Sequence, residues 1–159
     1  MRRCLITHLL TQTQGKMKKL SFKIDVYDWE VYLYQLEAKD SVKDVTKVLQ
    51  KHNIFEDIYD KIVQGVEDGD YDGGWNLCDS GIHQNVIIFD QFSSRERKIE
   101  VYTHEKRHLE DDIAKATGLE NNGEAIAYLA GYLATEFIKL SDKVKTYKRT
   151  SNGKNKKKR

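Results

Sequence analysis

The chain lacks proline altogether and contains only two cysteines, Cys4 and Cys78, among its 159 residues. Two cysteines without a C-x-x-C spacing cannot build a disulfide framework, so we expect free thiols in a reducing compartment. The apolar runs are too short to cross a bilayer, and residues 1–16 contain no apolar core of signal-peptide length. These absences predict a cytoplasmic protein without a membrane segment.

Acidic residues are missing from both ends of the chain. All 25 of them lie in residues 20–142, where only 13 Lys or Arg residues oppose them, giving that part a net charge of −12. Residues 1–19 carry five basic residues and residues 143–159 carry nine. An acidic body between basic ends is the expected electrostatic picture. The basic tail could make weak, salt-dependent contact with nucleic acid, although a solubilising end or one that folds back on the acidic body explains it better.

Three segments follow from this pattern. Residues 1–16 are polar and aperiodic, and Met17 is a second candidate for the translation start, so we expect residues 1–19 to be disordered or a mis-annotated start. Residues 20–142 are long enough for one domain with a buried core. Residues 143–159 are rich in lysine and are expected to be a disordered tail.

Alternating polarity predicts two strands that form a hairpin within residues 20–36, and another strand at residues 82–89. Apolar residues at helical spacing predict four helices, two between residues 40 and 66, one at 94–116 and one from about 121 to 140. The Gly- and Asp-rich residues 67–81 are expected to form a loop. Together these elements indicate an α+β fold.

The third predicted helix contains the motif His104-Glu105-Lys106-Arg107-His108. His104 and His108 lie one helical turn apart on one face, where two imidazoles can bind one zinc ion at about 2.0–2.1 Å. Glu105 is offset by one residue, so it points beside the metal rather than at it. That position suits a general base that takes a proton from zinc-bound water.

A third ligand is needed for a catalytic zinc site of the His2Glu type. The continuation H-x-x-G-x-x-H is absent, because Asp111 replaces its glycine and Ala114 its last histidine. A short turn then leads to a helix that opens with Glu124, and two antiparallel helices would let this carboxylate face the histidines. Glu120 in the turn is the competing ligand. Glu124 could instead serve only as a favourable charge in the first helical turn.

The run H-E-K-R-H, followed sixteen residues later by the Glu of E-A-I-A-Y, resembles the gluzincin metallopeptidases. The resemblance covers about residues 99–140 and implies that His104, His108 and Glu124 bind zinc and that Glu105 is the catalytic base. The runs HEKRHLED and E-A-x-A-Y-L-A-G-Y are also similar to small zincin-like proteins of bacterial phages and conjugative elements, especially from Bacteroidetes. The charged Lys106-Arg107 pair and the short spacing to Glu124 depart from the thermolysin-like pattern.

Side chains near the motif offer supporting roles. Asp111 or Asp112 could accept a hydrogen bond from an imidazole, or both could be a solvated acidic patch. Tyr128 and Tyr132 could donate to an oxyanion or could pack at the edge of the core. Residues 68–79 begin like an EF-hand calcium loop, D-x-D-x-D-G, although an acidic turn before the Gly73-Gly74 bend is the better explanation.

These observations predict a small zincin-like α+β domain, in which a short β-sheet packs on the active helix and a ligand-bearing helix follows. The expected activity is zinc-dependent hydrolysis of peptide bonds in a peptide or protein substrate. Two alternatives remain open: a non-catalytic zinc-binding protein, and a nucleic-acid-associated accessory protein of a phage or mobile element that uses its basic ends.

Overall fold

The computed structural model describes the chain in five stretches, which are residues 17–37, 42–54, 57–68, 73–120 and 123–142. The expected disordered lead and basic tail lie outside the described residues, apart from residues 17–19. No described helix has the length and apolar character needed to cross a membrane.

The first two strands form the predicted hairpin. Strand β1 is Lys18–Ile24 and strand β2 is Trp29–Gln35, and they pair antiparallel with Phe22 opposite Val31. The turn between them is a short 3-10 segment that ends at Asp28, whose φ of 51° is left-handed. Alternate side chains of β1 are buried, as the alternating polarity of this stretch predicts.

Two further strands complete a mixed sheet. Strand β3 is Gly74–Asp79, strand β4 is Gln84–Phe89, and the strand order is β1-β2-β4-β3. Strand β2 runs parallel to β4, whereas β3 pairs antiparallel with β4 at the edge of the sheet. The prediction of a loop over residues 67–81 was therefore wrong for β3. Its apolar alternation is limited to Trp75 and Leu77, too short to stand out beside the glycines.

The described residues form four helices. They are α1 (Val42–Lys51), α2 (Asp57–Asp68), α3 (Arg95–Thr117) and α4 (Glu124–Ser141). Helices α3 and α4 share a core with one sheet face, centred on Trp29, Leu33 and Phe89, and α1 and α2 share a second core with the other face. The protein is thus an α+β protein whose mixed sheet lies between two helical layers, and α3 is the helix that carries the motif.

One buried hydrogen-bonded pair fixes α3 to the sheet. Gln35, at the end of β2, is fully buried, and its Oε1 accepts a hydrogen bond of 3.0 Å from the Tyr102 hydroxyl of α3. The Gln35 amide donates to the Asp90 carbonyl beyond β4. A buried amide oxygen without a donor would lower the stability of the fold, so Tyr102 must stay within hydrogen-bonding distance of Gln35. This requirement fixes the position of α3 along the sheet.

Candidate metal and hydrolytic site

Helix α3 carries the motif in its middle and is terminated by specific caps. The Ser94 side chain accepts a hydrogen bond of 3.0 Å from the backbone N–H of Arg97, as expected for an N-cap. Gly118 ends the helix with a left-handed φ of 71°, and its N–H bonds the Ala114 carbonyl. The predicted range of 94–116 is therefore confirmed to within a residue or so at each end.

His104 and His108 meet on the exposed face of α3. Their Nε2 atoms are 3.0 Å apart, and the two rings stand nearly perpendicular, with an interplanar angle of 89°. In a tetrahedral zinc site with Zn–N bonds of about 2.0–2.1 Å, two ligand nitrogens stand about 3.3 Å apart. The two ring nitrogens are thus nearly as close together as two ligands of one zinc ion, and both side chains are exposed to solvent.

Glu105 lies between α3 and the edge strand β3, with only 4% of its surface exposed. No described residue donates a hydrogen bond to its carboxylate. Burial raises the pKa of Glu105, while the nearby His104 and His108 lower it. A buried carboxylate of this kind holds a proton more readily than an exposed one, which is what a general base near neutral pH requires.

The space for Glu105 exists because residue 74 is glycine. A Cβ atom on Gly74 would stand 2.8 Å from Cγ of Glu105 and 3.1 Å from its Oε1. Ordinary carbon contacts are about 3.5–4.0 Å, so any other residue here would push the carboxylate away. Sequence reasoning missed this contact because Gly74 was assigned to a loop; a glycine within a strand is the signal that could have found it.

The charged pair inside the motif is accounted for by ion pairs along α3. Lys106 pairs with Glu110, and Arg107 approaches Glu110 at 3.3 Å and Asp111 at 2.7 Å. Asp111 is therefore held by Arg107 rather than by an imidazole. Lys106 and Arg107 thus have carboxylate partners of their own on α3.

A polar network joins α3 to the sheet one turn beyond His108. Oδ2 of Asp112 accepts hydrogen bonds from the side-chain amides of Asn76 (3.0 Å) and Asn85 (2.7 Å), and Asn85 Oδ1 accepts from the Trp29 indole at 2.7 Å. Neither Asp111 nor Asp112 has the histidine contact considered from the sequence. The network was not predicted, although asparagines within apolar strands signal a need for polar partners.

Glu124 is not brought beside the two histidines. It is exposed at the start of α4, and its Oε1 accepts a hydrogen bond of 3.1 Å from the Tyr128 hydroxyl. Tyr102 packs against Phe137 of α4, so its side of α3 faces α4. With about 100° of rotation per residue, both histidines lie about 120–160° around the helix axis from Tyr102 and therefore face away from α4. Within the described residues, no three His, Cys, Asp or Glu side chains converge on one point. The ligand role of Glu124 stays a prediction.

The remaining candidates lie apart from the histidine pair or in part outside the described residues. Glu120 is exposed in the turn before α4, and Tyr132 packs edge-to-face on Phe22 with ring centroids 5.9 Å apart. In the calcium-like segment, residues 69–72 lie outside the described residues. Asp79 at its end accepts N–H bonds from Gly81 and Ile82 and so shapes the β3–β4 turn.

Comparison with known proteins gives no relative for this chain. No protein-family model, no curated protein and no solved structure matches it significantly.

Proposed function

We propose that this protein is a metal-dependent hydrolase of the zincin type that cleaves peptide bonds. The observation that carries the proposal is the pairing of two exposed imidazoles, with Nε2 atoms 3.0 Å apart, beside a buried carboxylate on the same helix. Histidine pairs also occur by chance on helix surfaces. Glu105 distinguishes this pair, because a largely buried carboxylate with a raised pKa next to two imidazoles is typical of a catalytic group.

In this proposal His104 and His108 hold the metal through their Nε2 atoms, and Glu124 is the third ligand that the family resemblance implies. A zinc ion at this position would polarise the substrate carbonyl and lower the pKa of a water molecule to about 7. The donor set of two imidazoles and a carboxylate suits zinc. A mixed sheet whose edge strand β3 runs beside the motif helix is compatible with a zincin-like arrangement.

Glu105 supplies the proton transfers. Its carboxylate takes a proton from the attacking water and passes it to the leaving amine, so that the amine departs in neutral form. Its raised pKa favours the first transfer, because a more basic carboxylate takes the proton from water more readily. Gly74 leaves the space beside β3 that the Glu105 carboxylate occupies.

The charge distribution favours basic substrates. Residues 20–142 have a net charge of −12, so the body of the protein attracts cationic peptides at low ionic strength. We therefore expect lysine- or arginine-rich peptides to be cleaved faster than acidic peptides, and we expect salt to reduce the difference.

Metal analysis and peptide hydrolysis test the proposal together. Wild-type full-length protein should bind one zinc ion, His104→Ala and His108→Ala should lose it, and Glu105→Gln should keep zinc but lose hydrolysis of unfolded casein. His83→Ala is the control, since this histidine stacks on Trp29 outside the motif. Absence of stoichiometric zinc in the wild type would contradict the proposal. Zinc without any hydrolysis by the wild type would instead favour the non-catalytic zinc-binding alternative.

A further inference from the structure

A second group of polar side chains lies on the opposite face of the sheet, beside the end of α1. Lys19 of β1 places its Nζ 5.1 Å from the ring centroid of Tyr32 and 5.7 Å from that of Tyr34. His52, just after α1, has its Nε2 2.9 Å from the Tyr34 hydroxyl, and its ring lies 4.5 Å from that of Tyr32. This group is built from β1, β2 and α1 and is separate from the His104–His108 pair.

Positive charge is concentrated here without a matching acid. Lys51, the last residue of α1, lies within hydrogen-bonding reach of the Lys19 ammonium, and neither lysine forms an ion pair with a carboxylate in the described part of the chain. Glu30, an acid that acts on His52, accepts a hydrogen bond of 2.6 Å from the Tyr32 hydroxyl. Two neighbouring ammonium groups repel each other, and an anion bound between them would relieve this repulsion.

The pKa values of Lys19 and His52 reflect their burial and the positive charges around them. Burial and the charge of Lys51 lower the pKa of Lys19 to about 8. Burial, with Lys51 and Lys19 also acting, lowers the pKa of His52 to about 4, although a hydrogen bond with Gln84 and the charge of Glu30 oppose this. Both shifts indicate groups for which a nearby negative charge would be strongly stabilising.

We propose that Lys19 and Lys51, next to His52, form a binding site for a phosphate group. A phosphate dianion neutralises both ammonium groups, whereas a carboxylate neutralises only one, and phosphate oxygens accept several charge-assisted hydrogen bonds at once. The tyrosine rings beneath Lys19 hold its ammonium in place through cation–π contact.

A cavity beside this site has room for the rest of a phosphorylated molecule. Its volume is about 570 Å³, and its lining includes His52, Asn53, Asp79 and Gln84. His52 belongs both to the cavity wall and to the charged cluster. The lining also includes apolar side chains such as Leu77 and Val86, and this mixture suits a sugar or another hydroxyl-bearing group. The favoured ligand is therefore a small phosphate ester, with free phosphate as the other source of the same chemistry.

The test uses the full-length protein with inorganic phosphate and, separately, adenosine monophosphate and adenosine, at constant ionic strength. Calorimetry measures affinity, and NMR of the His52 imidazole follows its pKa. We expect saturable phosphate binding that raises the pKa of His52 and weakens at least fivefold in Lys19→Gln and in Lys51→Gln. Lys47→Gln, one turn earlier on α1, is the matched control and should bind as the wild type does.

Each result decides the proposal. Tighter binding of the monophosphate than of phosphate, with no binding of adenosine, supports a phosphate ester as the ligand. Tighter binding of phosphate alone supports the free ion. Failure of the wild type to bind either, or equal weakening in Lys47→Gln, overturns the site. His104 does not belong to the phosphate site, so His104→Ala should lose zinc and still bind phosphate as the wild type does. Failure of one proposal can therefore be distinguished from failure of the other.

Discussion

The contact between Gly74 and Glu105 allows one prediction to be worked out in detail. Replacing Gly74 by Ala would place a Cβ 2.8 Å from Cγ of Glu105, where about 3.5 Å is the closest comfortable approach, so the carboxylate must move by about 0.7 Å. A misplacement of about 1 Å at a catalytic group lowers the rate by about 100-fold. We therefore expect zinc-dependent hydrolysis of casein by Gly74→Ala to fall by roughly 10- to 100-fold.

The same substitution should lower the free energy of unfolding by about 1 kcal/mol, because overpacking costs about 1–3 kcal/mol and the edge strand can partly yield. Gly73→Ala is the matched control, since a Cβ on Gly73 meets no atom within 4 Å. In a Glu105→Ala background the clash is gone, so Gly74→Ala should then cost nothing in urea unfolding. If Gly74→Ala lowered the free energy of unfolding equally in the wild type and in Glu105→Ala, the close contact between residue 74 and Glu105 would be refuted.

Three further substitutions test other parts of the structure by urea unfolding. The pKa of His52 is about 4, below its ordinary 6.5, because the folded protein favours the neutral imidazole. The contribution of His52 to the free energy of unfolding is therefore fully present above pH 6.5 and is lost as the pH falls towards 4. In His52→Gln this pH-dependent loss should be smaller by about 1 kcal/mol, after allowance for screening of the half-buried group. A pH dependence that persists in the variant would contradict this assignment. Tyr102→Phe leaves Gln35 Oε1 without its donor and should cost about 1–3 kcal/mol at pH 7. Asp112→Ala removes the acceptor of two amides and should cost about 2–3 kcal/mol, whereas Asp111→Ala, next to it, should cost less than about 1 kcal/mol. Equal costs for the two aspartates would mean that the network does not hold α3 on the sheet.

Local sequence patterns predicted the parts of this fold that local physics controls. The hairpin follows from alternation, and α3 follows from the Ser94 cap and the Gly118 stop. The approach of His104 to His108 follows from the helical repeat alone. None of these needs information about distant residues.

The parts that were missed depend on contacts between elements. Strand β3 is specified by pairing with β4 rather than by its own short pattern. The hydrogen bonds of Asp112 join residues 27 and 36 positions apart, which no spacing rule on α3 can show. The face that α3 turns towards α4 is likewise set by Tyr102 and Phe137, and it decides on which side of the helix Glu124 lies.

The orientation of α3 also constrains the third metal ligand. Tyr102, Glu105 and Asp112 each contact the sheet or its edge strand, so α3 cannot turn its histidines towards α4 without breaking all three contacts. Glu124 can therefore join the histidines only if the first turn of α4 shifts around the end of α3. Glu124→Gln should then weaken zinc binding about 10- to 100-fold or more, whereas Glu120→Gln should leave it unchanged. Equal zinc affinity in wild type and both variants would remove both glutamates from the ligand set while leaving the histidine pair intact.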